Sequence, residues 1–143
     1  MTNHYDGSGM LRLLLCGKKL IADLNTLGVY HDKSRTAVYP SVPHELERHL
    51  VRSLWDGDGY IGRRQFELIG TPALLDGVVQ AVQRHTGCVL RRRLSGRDRK
   101  YHYAIGTRRD AAVLHWMYSD ASIALARKMR AASSSYWSQI SRP

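Results

Sequence analysis

Apolar and polar positions along the chain follow two periods. From His44 to Trp55 the sequence H-E-L-E-R-H-L-V-R-S-L-W repeats its apolar residues at helical spacing. Pro43 suits a first helical position, and Glu45 and Glu47 favour the positive end of a helix dipole. Leu46, Leu50, Ser53 and Gly57 share one face, while Val51, Leu54 and Trp55 point elsewhere. An ordinary surface helix has one apolar stripe. Two stripes predict a helix buried on two sides, once in its own core and once against a partner. The small Ser53 and Gly57 would let a second backbone come close.

The rest of the chain reads in order as follows. Met1 to Gly9 is polar and Gly-rich, and is expected to be loose. Met10 to Cys16 predicts a strand, and Lys18 to Leu27 a short helix with Leu20, Ile21, Leu24 and Leu27 on one face. Gly28 is its stop signal. His31 to Thr36 reads as a basic loop and Ala37-Val38-Tyr39 as a short strand. Tyr60 to Ile69 reads as one strand, with Phe66 and Leu68 inward and Arg63, Gln65 and Glu67 outward. Thr71 and Pro72 then open a helix from Ala73 to His85, ended by Gly87. Cys88 to Leu94 and Lys100 to Thr107 predict a hairpin. In it Leu90 and Leu94 take one face and Val89, Arg91 and Arg93 the other. Tyr101, Tyr103 and Ile105 are expected toward the core, leaving Lys100, His102 and Ala104 outside. Thr107 with Asp110 suggests a capping box for a helix ending near Ser119. Asp120 is expected to cap a last helix through about Ala132, with a frayed tail from Ser133.

At the end of the signature helix the chain reads D-G-D-G, Asp56 to Gly59. Two acids at a helix C-terminus oppose its dipole by a few tenths to about 1 kcal/mol. A divalent cation would offset that. An EF-hand register fails, because Leu54 would stand at loop position 1 and Gln65 at position 12, where acids are needed. A capped helix followed by a polar turn is the plainest alternative.

Composition narrows the partner. The 143 residues fit one domain of ordinary apolar content, 43%. The net charge of +10 predicts a polyanion, and nucleic acid is favoured over membrane. The run Leu13 to Cys16 is too short for a signal peptide or a membrane span. Cys16 and Cys88 lack metal spacing and are read as buried thiols in a reducing cytoplasm. His31, His85 and His115 have no second His or Cys at ligand spacing, and are read as core or surface histidines. No small-molecule substrate is expected.

The outward residues make a basic sheet surface. Arg63, Arg64, Gln65, Arg91, Arg93, Arg97, Arg99, Lys100 and His102 are candidates for contact with double-stranded DNA, where a β-ribbon can read the major groove. Lys18, Lys19, Lys33 and Arg35 form a second basic region suited to phosphates. A solvated arginine-rich edge is the bland alternative.

Val51 to Gly59, V-R-S-L-W-D-G-D-G, resembles the signature of the LAGLIDADG homing endonucleases. Ser53 stands for the usual Gly and Arg52 for the Ala. A fainter likeness runs from Leu11 to Lys128, and includes W-M-Y-S-D-A-S-I-A-L-A-R-K. Leu13 to Val29 echoes Glu67 to Val89, so residues 10–40 look like the back half of a first repeat and 43–132 like a complete second one, with its signature helix at 43–57. The resemblance implies an α+β fold, a saddle of antiparallel or mixed strands backed by helices, with that helix at a dimer or repeat interface. It implies a metal-dependent, site-specific double-strand DNA endonuclease working as a homodimer in a bacterial or phage-infected cell. A free-standing gene product is preferred, since no splicing residues bracket the chain. Asp58 is then the Mg²⁺ ligand, helped by the Gly57 carbonyl, with Asp56 a second candidate catalytic acid that the resemblance assigns more to stabilising the helix ends than to binding metal. Leu46, Leu50, Ser53, Leu54 and Gly57 become the interface. Lys128 matches the family's C-terminal Arg-Lys, where packing or phosphate contact is expected. A non-cleaving DNA-binding regulator and an intron RNA maturase are the alternatives the same resemblance leaves open.

Overall fold

A computed structural model describes residues 2–5, 11–14, 16–29, 33–95 and 101–138. The fold is α+β. Strands β1 (Thr2–Tyr5) and β2 (Leu11–Leu14) pair with each other, followed by helices α1 (Lys18–Thr26) and α2 (Lys33–Thr36). The signature helix is α3 (His44–Asp58). After it come β3 (Gly59–Ile61), β4 (Gln65–Gly70), α4 (Pro72–Thr86), β5 (Arg91–Leu94) and β6 (His102–Thr107). A 3₁₀ turn (Arg108–Asp110) leads into α5 (Ala111–Tyr118), α6 (Ala126–Ala132) and α7 (Ser135–Ser138). The four later strands form one antiparallel sheet, ordered β3-β4-β6-β5.

The core lies between one face of this sheet and helices α3, α4 and α5. Val51 and Trp55 of α3 meet Phe66 and Leu68 of β4, Leu75, Val78 and Val82 of α4, and Leu114 and Met117 of α5. Each such side chain, fully buried, contributes about 1.5–3 kcal/mol. The Trp55 and Phe66 rings stand 5.7 Å apart, and Trp137 of α7 adds an edge to Phe66 at 5.5 Å. Local signals hold the frame. Thr71 Oγ1 accepts the Leu74 N–H at 3.1 Å at the start of α4, and Gly87 ends it at φ 73°. That left-handed cap favours glycine.

Register decides which residues face outward. Leu68 pairs with Ala104 and Phe66 with Gly106, so Ala104, Gly106 and His102 lie on the core side of β6. Phe66 packs so closely on Gly106 that a Cβ there would collide with its ring. Tyr103 and Ile105 therefore lie on the face opposite Phe66 and Leu68, the reverse of the order expected, although Ile105 is fully covered there and Tyr103 half-covered. Leu94, expected inside, is exposed at the sheet end.

Other expectations are also revised. Thr2–Tyr5 is a strand rather than loose chain. Residues 33–36 form a helical turn, and 37–39 belong to no strand among the described residues. The single strand expected over 60–69 is two, turned at Gly62-Arg63-Arg64, where the Gly62 N–H donates to the Gln65 carbonyl. Asp120 caps no helix. Its carboxylate pairs with Arg48 at 2.8 Å, and α6 starts at Ala126. The tail expected to fray instead buries Trp137. Cys16 is exposed and Cys88 half-buried, so neither is the buried thiol expected. Among the described residues no helix is long and apolar enough to cross a membrane.

Candidate functional site

Helix α3 runs one residue further than expected, to Asp58, and carries both acids in its last turn. No basic residue stands in that turn to offset them. The two carboxylates differ in what they do. Asp56 is consumed within the fold: its Oδ1 accepts the Tyr118 hydroxyl at 2.8 Å and its Oδ2 the Leu125 N–H at 3.0 Å. These donors answer the dipole at Asp56. Burial, then the hydrogen bond to Asp56 and its charge, hold the Tyr118 phenol protonated well above its ordinary range. Asp56 thus ties α3 to α5 and to the segment before α6.

Asp58 is exposed, and among the described residues no donor engages it. The Gly59 N–H returns to the Trp55 carbonyl, leaving the later carbonyls of α3, that of Gly57 included, without a helical partner. Asp58 opens onto a cleft of about 720 Å³ shared with Arg35, Thr71, Tyr101 and His102. Arg35 was expected to contact phosphate and His102 to read bases on the outer face. His102 instead joins Asp58 from the core side of β6, because of the register described above. A carboxylate, a guanidinium and an imidazole around one open cleft suit a phosphodiester group and a water.

Lys128 reaches the residue after Asp58. Its Nζ donates to the Gly59 carbonyl, and the side chain is buried although it belongs to a helix of exposed cations. Burial, reinforced by the Arg127 charge, holds its ammonium below the ordinary lysine range, against the pull of Asp56 and Asp58. The lysine is therefore within electrostatic reach of both acids.

The outer sheet face carries Gln65, Glu67, Arg91, Arg93 and Tyr103. Gln65 Nε2 donates to Glu67 at 3.2 Å. Arg93 lies over the Tyr103 ring at 5.6 Å. Alternation turns the middle arginine of the run inward, where Arg92 pairs with Asp76 and reaches the Pro72 carbonyl. Arg63 and Arg64 occupy the β3–β4 turn rather than a strand face. There Arg63 and Arg108 approach the Tyr136 ring at 5.2 and 5.9 Å. Arg108 and Arg109 extend the basic surface and were missed, since a capping box alone marked that stretch. The side chain of Lys33, and Arg97, Arg99 and Lys100, lie outside the described residues.

On α3 the second stripe is uncovered. Leu46, Ser53 and Gly57 are exposed, Leu50 half-covered, and a Cβ on Gly57 would meet nothing within 4 Å. Leu54 differs from this set. It packs on the core and, with Leu50, Val29 and Val38, lines an apolar groove of about 200 Å³ beside Asp58. Beyond Ser53 stands Ile123, 82% exposed. The apolar face of α1 is bare too, with Leu20, Ile21, Leu24 and Leu27 all exposed.

One cluster escaped the sequence reading altogether. His44 and Glu47 of α3 meet His85 of α4, although His85 was read as isolated. The signal was the i, i+3 pair in H-E-L-E, which needs a third residue from another element. The chain matches no known family model, no curated protein and no solved structure.

Proposed function

We propose that this protein is a metal-dependent double-strand DNA endonuclease of the LAGLIDADG kind, acting as a homodimer. The observation that carries the reading is the unequal fate of the two acids. Asp56 is bound by two donors within the fold, whereas Asp58, at a helix C-terminus in an open cleft beside Arg35 and His102, meets no donor among the described residues. An acid kept where the dipole opposes it, and given no partner, is suited to a cation.

The residues present fit a hard divalent ion such as Mg²⁺. Asp58 supplies a carboxylate and Gly57 a free carbonyl, both oxygen donors. When bound, the ion lowers the pKa of a coordinated water and neutralises phosphate charge. The chain's own groups do the rest. Arg35 holds the phosphate in the cleft. His102 accepts or relays a proton from the attacking water. Lys128 brings a cation toward the charge developing on the phosphate. Two oxygen donors leave a six-coordinate ion unsatisfied, so the same groups of a second chain complete the centre.

The bare stripe of α3 supports that second copy. Leu46, Ser53 and Gly57 are exposed, and glycine lets a facing helix approach closely. Around the cleft, Arg91, Arg93 and Gln65 on the sheet, with Arg63, Arg64, Arg108 and Arg109 at its end, offer a duplex both phosphate contacts and base readers. The test is to select duplexes bound by the protein in Ca²⁺, then incubate them with Mg²⁺. Cutting of both strands at a fixed position is expected. Binding without cutting would transfer the reading to a regulator. Preference for structured RNA would transfer it to a maturase.

A further inference from the structure

The geometry points to a second metal site, for a borderline transition-metal cation of the zinc class, on His44 Nδ1, Glu47 Oε2 and His85 Nε2. These three donor atoms lie within 4.8 Å of one another. Glu47 Oε2 is 2.7 Å from His85 Nε2 and 3.3 Å from His44 Nδ1. A tetrahedral ion with bonds near 2.0–2.1 Å separates its donors by roughly 3.3 Å, so small rotations suffice.

The fold builds this site rather than leaving it to chance. Glu47 is buried, at 4% exposure, in the first turn of α3. Its other oxygen, Oε1, accepts Arg84 Nη2 at 3.0 Å, which fixes the carboxylate and leaves Oε2 turned to the histidines. His85 is held flat against the Trp116 ring, with centroids 5.0 Å apart and planes 18° from parallel. Such supporting contacts orient metal ligands and are worth 10–100-fold in affinity. His44 is mostly exposed and closes the site from solvent. The Tyr39 hydroxyl is buried without a hydrogen-bond partner among the described residues, and feels the Glu47 charge. Burial and that charge push its phenol up to about 12. A buried polar group left unmatched within reach of the Glu47 charge is what a ligand or its water would satisfy.

Ligand chemistry selects the ion. Two imidazoles and one carboxylate suit zinc, whereas Mg²⁺ prefers oxygen donors and keeps its waters. The site is therefore distinct in preference from the oxygen donors at Asp58. It joins the start of α3 to the end of α4, across 38 positions of sequence. Bound metal displaces the proton shared by His85 Nε2 and Glu47 Oε2, and so pins the two helices through coordinate bonds.

The experiment is calorimetric titration of the full chain, free of any polyhistidine tag, with zinc chloride. One ion per chain is expected, with the thermal midpoint rising as zinc is added and no displacement by a large excess of Mg²⁺. His44→Ala removes an exposed ligand with little cost to the fold, which circular dichroism checks. It should weaken zinc binding at least tenfold and abolish the visible bands of a tetrahedral cobalt(II) complex. Wild-type protein that binds no zinc overturns the proposal. So does a His44→Ala protein, folded as wild type, that binds zinc and shows cobalt bands unchanged.

Discussion

At the scale of single residues, two acids two positions apart end in opposite roles. Asp56 binds the Tyr118 hydroxyl and the Leu125 N–H, and Asp58 binds neither. Asp56→Ala should cost about 1–3 kcal/mol, since it orphans the buried Tyr118 hydroxyl, and Tyr118→Phe about 0.5–1.5 kcal/mol. Because both changes remove one interaction, the double mutant should lose less than the sum, by at least ~0.5 kcal/mol. Strictly additive losses in urea unfolding would show that the hydrogen bond carries no stability. Lys128→Met keeps the aliphatic stem but frees the Gly59 carbonyl. Unfolding should cost about 1–3 kcal/mol less. If the ammonium also stabilises charge on the phosphate, cleavage by the folded mutant should fall by on the order of 100-fold. Full cutting would leave Lys128 a packing role only.

At the scale of elements, what was legible follows from periodicity and caps. Helix α3 was readable from L-V-R-S-L-W, α4 from Thr71-Pro72 and Gly87, and α5 from Thr107 with Asp110, whose carboxylate accepts the Thr107 N–H at 2.8 Å. What was not legible depended on pairing across the sheet. Tyr103 and Ile105 are larger and more apolar than Ala104 and His102, so composition places them inside. The register with β4 places Gly106 under Phe66 and reverses the strand. The same limit hid the cleft, because no local pattern brings His102 to Asp58. Trp137 was lost for a related reason, since three serines before it signal loop. Helix α3 also carries the clearest test of its second stripe. Gly57 has open space where a Cβ would stand, so Gly57→Leu should not harm the single chain. It should even add up to ~1 kcal/mol, because glycine is a poor helix former. In a dimer with helices packed at Gly57, leucine forces the backbones apart. Sedimentation should therefore show wild-type dimers and Gly57→Leu monomers. A mutant that remains dimeric would place the interface elsewhere.

At the scale of the whole molecule, charge and shape act together. The chain carries ten surplus positive charges, and Arg91, Arg93, Arg63, Arg64, Arg108 and Arg109 place cations on the outer sheet face, the β3–β4 turn and the 3₁₀ turn. If about six phosphates are neutralised, the logarithm of DNA affinity should fall with the logarithm of salt at a slope on the order of −5. A slope near zero would assign the charge another purpose. The free carboxylate at Asp58 gives that basic surface its proposed chemistry, and Asp58→Asn separates binding from cutting. The substitution keeps shape and removes charge, so a hard cation loses its carboxylate ligand while the phosphates lose a repulsive neighbour. The decisive measurement is Mg²⁺-dependent cleavage of a selected duplex beside its Ca²⁺ gel shift, for wild type and Asp58→Asn. Wild type should cut, and the mutant should bind as tightly or more tightly while cutting falls by orders of magnitude. A mutant that cuts as wild type does would contradict this.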